Sequence, residues 1–138
     1  MQVSNDRDIF EIISESIETS KEYLPRLTNG MDRVVELLRK GQRGEANALF
    51  SEATEGLEWL STVIETIFRL PQLSTVRKDY GEKLEEFRTI IKNLMNAFLE
   101  QDFVLTGDII EYELTENLEY WLDVFTQLDS ILKSESVI

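Results

Sequence analysis

Six carboxylates are spaced closely enough to act together. Glu52, Glu55 and Glu58 recur at every third position, and Asp108, Glu111 and Glu113 form a second group. Residues three apart are neighbours on a helix, so Glu55 with Glu58, and Asp108 with Glu111, would each share a face. Such pairs could hold Mg²⁺ or Ca²⁺, or serve as acid and base. An acidic helix also contains them by composition alone, and the expectation is a solvated, structural role without metal or cofactor. Other chemistry lacks its parts. The chain has no His and no Cys, which removes structural zinc, thiol redox chemistry, disulfides and every mechanism with a histidine base. A serine triad and a Glu-x-x-His di-iron bundle fail for the same reason. Gly41 and Gly44 do not make a phosphate-binding loop of GxxxxGK[ST] or GxGxxG spacing. Asn5-Asp6-Arg7-Asp8 opens like a calcium loop and stops. No catalytic residue is expected, and the chain reads as a non-enzyme.

Charge narrows the partners. There are 14 Lys and Arg against 27 Asp and Glu, a formal charge of −13. A phosphate backbone or an anionic membrane demands a basic face, so neither nucleic acid nor membrane is expected as a partner. Asp6, Asp8, Glu11 and Glu15 stand where a signal peptide would need a basic start and an apolar run. No stretch approaches about 18 consecutive apolar residues. A cytoplasmic location is the resulting expectation. At 138 residues one domain spanning 1–138 can bury a core without a disulfide or metal.

The elements that position these residues follow from apolar spacing. Between Gln42 and Leu70 the seam reads Ala46, Phe50, Ala53, Leu57, Leu60, Ile64, Ile67. The next reads Val76, Tyr80, Leu84, Phe87, Ile91, Leu94, Phe98, and the last Phe103, Gly107, Ile110, Leu114, Leu118, Trp121, Phe125, Leu128, Leu132. Steps of three and four are the helical period, and no segment alternates long enough for a sheet. Gly41 after Arg39 and Lys40 marks a helix end. Pro71 marks another, with Ser74 as the next cap, and Asp102 can cap the helix that opens at Phe103. The links are expected to be two to five residues long, which forces antiparallel neighbours.

The N-terminal third admits two readings. Asn5 is a fair cap, and the seam Phe10, Ile13, Ile17, Ser20, Leu24, Leu27, Met31, Val34, Leu38 keeps phase through Pro25. One long kinked helix is favoured; the alternative breaks the chain and restarts it at the capping-box spacing of Thr19 and Glu22. Gly30, Gly56, Gly81 and Gly107 fall inside expected helices, where each costs about 1 kcal/mol relative to Ala. Close helix approach would explain such a cost, most readily at the seam position Gly107.

The surface candidates are aromatic. Trp121 lies on its seam and belongs to the core, whereas Trp59 and Phe68 are displaced from theirs, and Tyr112 and Tyr120 flank the last seam among acids. These four are the partner-binding candidates, against a simpler reading as the edge of a wide apolar stripe. Residues 102–138 hold one basic and nine acidic side chains, and residues 45–72 one and five. An acidic surface of this kind keeps a protein soluble or meets a basic partner.

Two segments carry a resemblance. Gly56-Leu57-Glu58-Trp59-Leu60 and the run from Asp102 through Gly107-Asp108-Ile109-Ile110-Glu111-Tyr112-Glu113 to Leu114 resemble, in order and separation, motifs of small uncharacterised all-helical proteins of Firmicute bacteria. The likeness covers most of the chain after Tyr23 and implies no activity or functional residue. In size, acidity and helical layout the chain is also similar to flagellar and secretion export chaperones, a likeness without a specific motif. The expectation is an all-α, antiparallel, up-and-down four-helix bundle with a kinked or broken first helix. Its expected role is a non-enzymatic adaptor or chaperone-like protein that takes a basic or amphipathic helix of a partner protein. A structural homo-oligomer, such as a homodimer, is the alternative, and a carboxylate-based metal or enzymatic bundle ranks last.

Overall fold

The computed structural model describes residues 2–70, 73 and 78–136, with side chains over 9–70, 73 and 78–134. Helix α1 spans Gln2–Arg39, α2 Arg43–Phe68 and α3 Tyr80–Leu99. The last rod is continuous but composite: α4 (Phe103–Asp108), a π-helical turn (Ile109–Leu114) and α5 (Thr115–Ser136). No strand occurs among the described residues. The chain is thus an all-α four-helix bundle. Each rod packs on two neighbours: α1 on α2 and the last rod, α3 on the same two. Ion pairs give the direction. Moving up α1 from Lys21 to Arg39 moves down the last rod from Asp129 to Glu111, an antiparallel register.

Helix α1 runs through Pro25 without a break. Pro25 is exposed, so the Lys21 carbonyl that loses its amide partner lies on a face that water can reach. The broken alternative therefore does not hold. Since the helix begins at Gln2, Asn5 and Thr19 both lie inside it and neither is a cap. At its other end the Gln42 amide donates to the Leu37 carbonyl (2.9 Å) and the Gly41 amide to that of Leu38 (3.1 Å), with Gly41 at φ 75°. That is a Schellman close, and glycine supplies the left-handed residue it needs.

The end of α3 repeats the device without glycine. The Asp102 amide donates to Ala97 (2.9 Å) and the Gln101 amide to Phe98 (3.0 Å), and Gln101 takes φ 60°. Asp102 then caps α4 by accepting from the Leu105 amide at 3.1 Å. These two links are each three residues long, as expected. Between α2, which ends at Phe68, and α3, which opens at Tyr80, only residues 69, 70, 73, 78 and 79 are described, and Leu73 is helical. Pro71, Ser74 and Val76 lie outside the described residues.

Inside, the expected seams meet. Trp121, Phe87, Phe125, Leu57, Leu60, Ile64 and Leu94 are fully buried. Phe50 stacks on Phe98 (centroids 3.9 Å apart) and Phe87 leans on Trp121 at 6.3 Å. The Trp121 indole N–H donates to Asn117 Oδ1 at 2.8 Å, which satisfies a polar atom in the core. Ser20 Oγ is buried and has no partner.

Close helix approach falls at Gly56, not at Gly107. A β-carbon on Gly56 would overlap the Tyr23 hydroxyl and lie 2.9 Å from its Cζ and 3.0 Å from Leu27 Cδ2; at Gly107 it would make only an ordinary 3.8 Å contact with Val35. Tyr23 is held over Gly56 by an edge-to-face contact with Trp59 at 5.7 Å. We therefore expect Gly56→Ala to lower stability by about 1 kcal/mol despite the better helix former. Gly30 has nothing within 4 Å of such a carbon, so Gly30→Ala should raise stability by about 0.5–1 kcal/mol. In a Tyr23→Leu background Gly56→Ala should no longer destabilise. Thermal melts of the four variants check the assignment, and a stabilising Gly56→Ala in the native background would contradict it.

Candidate protein-interaction surface

The four aromatic candidates divide between core and two separate faces. Phe68 is a correction: it is 1% exposed and stacks on Tyr80 at 4.4 Å, so it is core and cannot reach a partner. Its displacement from the α2 seam is real, but α3 closes over that side of the helix. Trp59 is 41% exposed and its other edge rests on Tyr23 of α1. Tyr112 and Tyr120 line a groove between α3 and the last rod. The seams α1–α2 and α3–last rod are opposite sides of the four-rod ring, so Trp59 does not join Tyr112 and Tyr120 in one patch.

The groove has a volume of about 380 Å³ and is lined by Ile90, Thr89, Tyr112, Asn117 and Tyr120, with Glu86, Glu113 and Glu116 among them and Lys83 from α3. Tyr120 is a fixed wall. Its hydroxyl donates to Asp79 Oδ1 at 2.8 Å, its ring meets Trp121 edge-on at 4.9 Å, and the Lys83 ammonium lies 5.3 Å from its centroid. Tyr112, by contrast, is 70% exposed.

What aims Tyr112 outward is the π turn. Ile109, Ile110 and Leu114 of that turn are all buried, an inward set that a plain α-helix would spread over a wider arc. The wider turn admits an extra residue, so Tyr112 is carried outward while the core positions on both sides stay in register. The Thr115 hydroxyl donates to the Ile110 carbonyl at 2.9 Å and helps to satisfy the loosened backbone. The apolar steps from Gly107 to Leu118 read as ordinary helix, so sequence reasoning missed this turn. The sequence signal that could have found it is Ile109 beside Ile110, one apolar residue more than the seam needs.

The carboxylates do not converge. Glu52, Glu55 and Glu58 lie exposed on α2, and Asp108 and Glu113 are exposed as well. Glu111 is engaged by Arg39 at 2.8 Å. Among the described residues no group of three or more side chains could hold a metal ion. The carboxylate with the most distinctive surroundings is one the sequence did not single out. Asp129 is 4% exposed and receives Lys21 at 2.9 Å and Lys133 at 3.1 Å. The Lys21 hydrogen bond, supported by Lys133, holds its carboxyl below the usual range although burial pushes the other way. A paired carboxylate of this kind joins α1 to α5.

The family now follows. A family model described as Domain of unknown function (DUF8042) matches residues 15–124. The chain belongs to the DUF8042 family. The match takes in α2 and α3 whole and parts of the first and last rods, including the π turn, Gly56 and both groove tyrosines. No curated protein and no solved structure matches the chain. Among the described residues no helix is long and apolar enough to cross a membrane.

The Asp129 cluster gives a pH signature. Because its folded pKa is depressed, the stabilisation is present above the unfolded value of about 3.9 and is lost as pH falls through the folded value. Asp129→Asn should therefore lower Tm at pH 7 by roughly 3–6 °C. The gap to the native chain should close below about pH 4. Paired melts across that range test it; a gap independent of pH would mean that the charge is not what stabilises.

Proposed function

We propose that this DUF8042 domain is a non-enzymatic, protein-binding adaptor whose contact surface is the groove between α3 and the last rod. The observation that carries the reading is Tyr112, an aromatic ring 70% exposed at a groove bordered by Glu86, Glu113 and Glu116. Exposed aromatics beside a fixed apolar wall are the anchors of protein interfaces. Ile90, Tyr112 and Tyr120 offer apolar surface, and the glutamates offer the charge that a basic, amphipathic helix would complement. The net charge of −13 would speed the encounter with such a segment and disfavour nucleic acid and anionic membranes. A cytoplasmic location is part of the proposal.

Site-specific photo-crosslinking in the native cell tests it. A benzophenone side chain at position 112 should give adducts with another protein, and the same group at position 59 should not. In a lysate of the same cells the adducts should fade as ionic strength rises toward about 0.5 M, where surface attraction is screened within a few ångströms. Tyr112→Ala should abolish competition for the adduct while moving the melting temperature by no more than about 1–2 °C, because the side chain is exposed. An absence of adducts at 112, or adducts equal to those at 59, would reject the groove.

A further inference from the structure

Asn117 lines the groove between α3 and the last rod with an amide whose bonding capacity is only partly used. Its side chain is 4% exposed and shares the groove wall with Ile90, Tyr112 and Tyr120. The Trp121 indole N–H can only donate, so the amide atom that meets it at 2.8 Å is the oxygen. That contact fixes which way the amide points. With Oδ1 turned to the indole, Nδ2 carries two N–H donors that have no partner among the described residues. Nor is Nδ2 sealed in the core: among the described residues the one side-chain polar atom both shut off from water and unanswered is Ser20 Oγ. The Asn117 donors therefore open onto the groove.

Acceptors border the same groove. Glu113 and Glu116 line it and join no ion pair among the described residues, while Glu86 lies 3.5 Å from Lys83. An occupant that satisfies these groups must bring an acceptor to Asn117 and donors to the glutamates. The backbone of an amphipathic helix cannot bring the acceptor, because its carbonyls are spent within the helix. Lys and Arg side chains have donors only. An Asp or Glu side chain has the acceptor but is repelled by the glutamates around it. A Ser or Thr hydroxyl lies close to its own helix and bonds back to it. A carboxamide carries an acceptor and two donors on one carbon, which is the combination the groove lacks.

We propose that the groove selects a side-chain carboxamide, Gln or Asn, on the basic partner helix: its carbonyl accepts from Asn117 Nδ2–H, and its NH2 group donates to Glu113 or Glu116. The inference rests on the groove being the partner surface and adds the residue type that it reads. Asn117 is thus a specificity-determining residue, held in place by the Trp121 indole. Tyr112 and Tyr120 supply apolar contact beside it, and Lys or Arg residues of the same helix meet the carboxylates left over.

The probe is a displayed library of Lys-, Leu- and Ala-rich helices about 18 residues long, with a few randomised positions on the apolar face. Binders that are lost on Tyr112→Ala should carry Gln or Asn at one randomised position. In a synthetic copy of such a binder, methionine in place of that residue keeps the apolar contact and should weaken binding about tenfold. Asn117→Asp is the deciding variant, read at about pH 8 to keep the new carboxyl ionised. It keeps an oxygen for the Trp121 indole, removes both donors and adds negative charge. If charge alone held the basic helix, binding would tighten; the carboxamide contact requires it to weaken about tenfold. The methionine comparison leaves the protein untouched and decides the matter even where Asn117→Asp does not fold. Tyr112-dependent binders without a Gln or Asn preference, or a carboxamide peptide that binds Asn117→Asp as tightly as the native chain, would overturn the inference and leave the groove as a partner surface. The absence of any Tyr112-dependent binder would overturn both.

Discussion

Burial of the Trp121 indole is the contact around which the bundle is arranged. The ring is fully enclosed, and its N–H is answered by Asn117 one turn earlier on the same rod. Removing a ring of this size from water stabilises the fold by roughly 4–5 kcal/mol. The gain holds only while the N–H keeps its partner, because an unanswered donor in the core costs about 1–3 kcal/mol. Phe87 of α3, Val124, Phe125 and Leu128 of α5, and Leu57 and Leu60 of α2 are buried in the same core. These side chains close the described interior of the bundle around the ring.

Two adjustments let straight rods close on that interior. At Gly56 the absent side chain makes room for Tyr23, so α1 and α2 approach closely where the Tyr23–Trp59 pair lies over them. In the last rod the π turn shifts the helix by a residue, which keeps Ile109 and Ile110 inward at one end and Trp121 inward at the other. Both adjustments expose an aromatic residue. They differ in what surrounds it: Trp59 rests on a neighbouring helix, whereas Tyr112 stands beside a groove with acids around it. The ion pairs are subordinate. Glu65 with Arg69 and Arg88, and Glu36 with Arg33 and Lys40, sit at the surface, where such pairs contribute little.

The all-helical class, the seams, the Gly41 close and the Asp102 cap were legible because each depends on local spacing or on one residue's backbone preference. Phase carried through Pro25 correctly pointed to one helix. What failed was whatever depends on a neighbour. Phe68 looks like an edge residue until α3 covers it. Gly107 lies on its seam and Gly56 beside its own, yet the place where Tyr23 lands makes Gly56 the close approach. Asp129 reads as one more acid in an acidic rod until Lys21, more than a hundred positions away, reaches it. Gln101 carries no glycine signal although it takes a glycine's conformation. The groove was half legible: Tyr112 and Tyr120 among acids were visible, but not the π turn that aims one and fixes the other's distance from it.

The most direct test of a closed interior uses the two tryptophans, one inside and one out. In a Trp59→Phe variant all indole fluorescence comes from Trp121. Its emission should be blue-shifted and insensitive to iodide and acrylamide in the native state, and it should become red-shifted and quenchable in a single step that coincides with loss of the helical circular-dichroism signal. Quenching of Trp121 in the folded protein, or emission that shifts before the helices melt, would contradict the account.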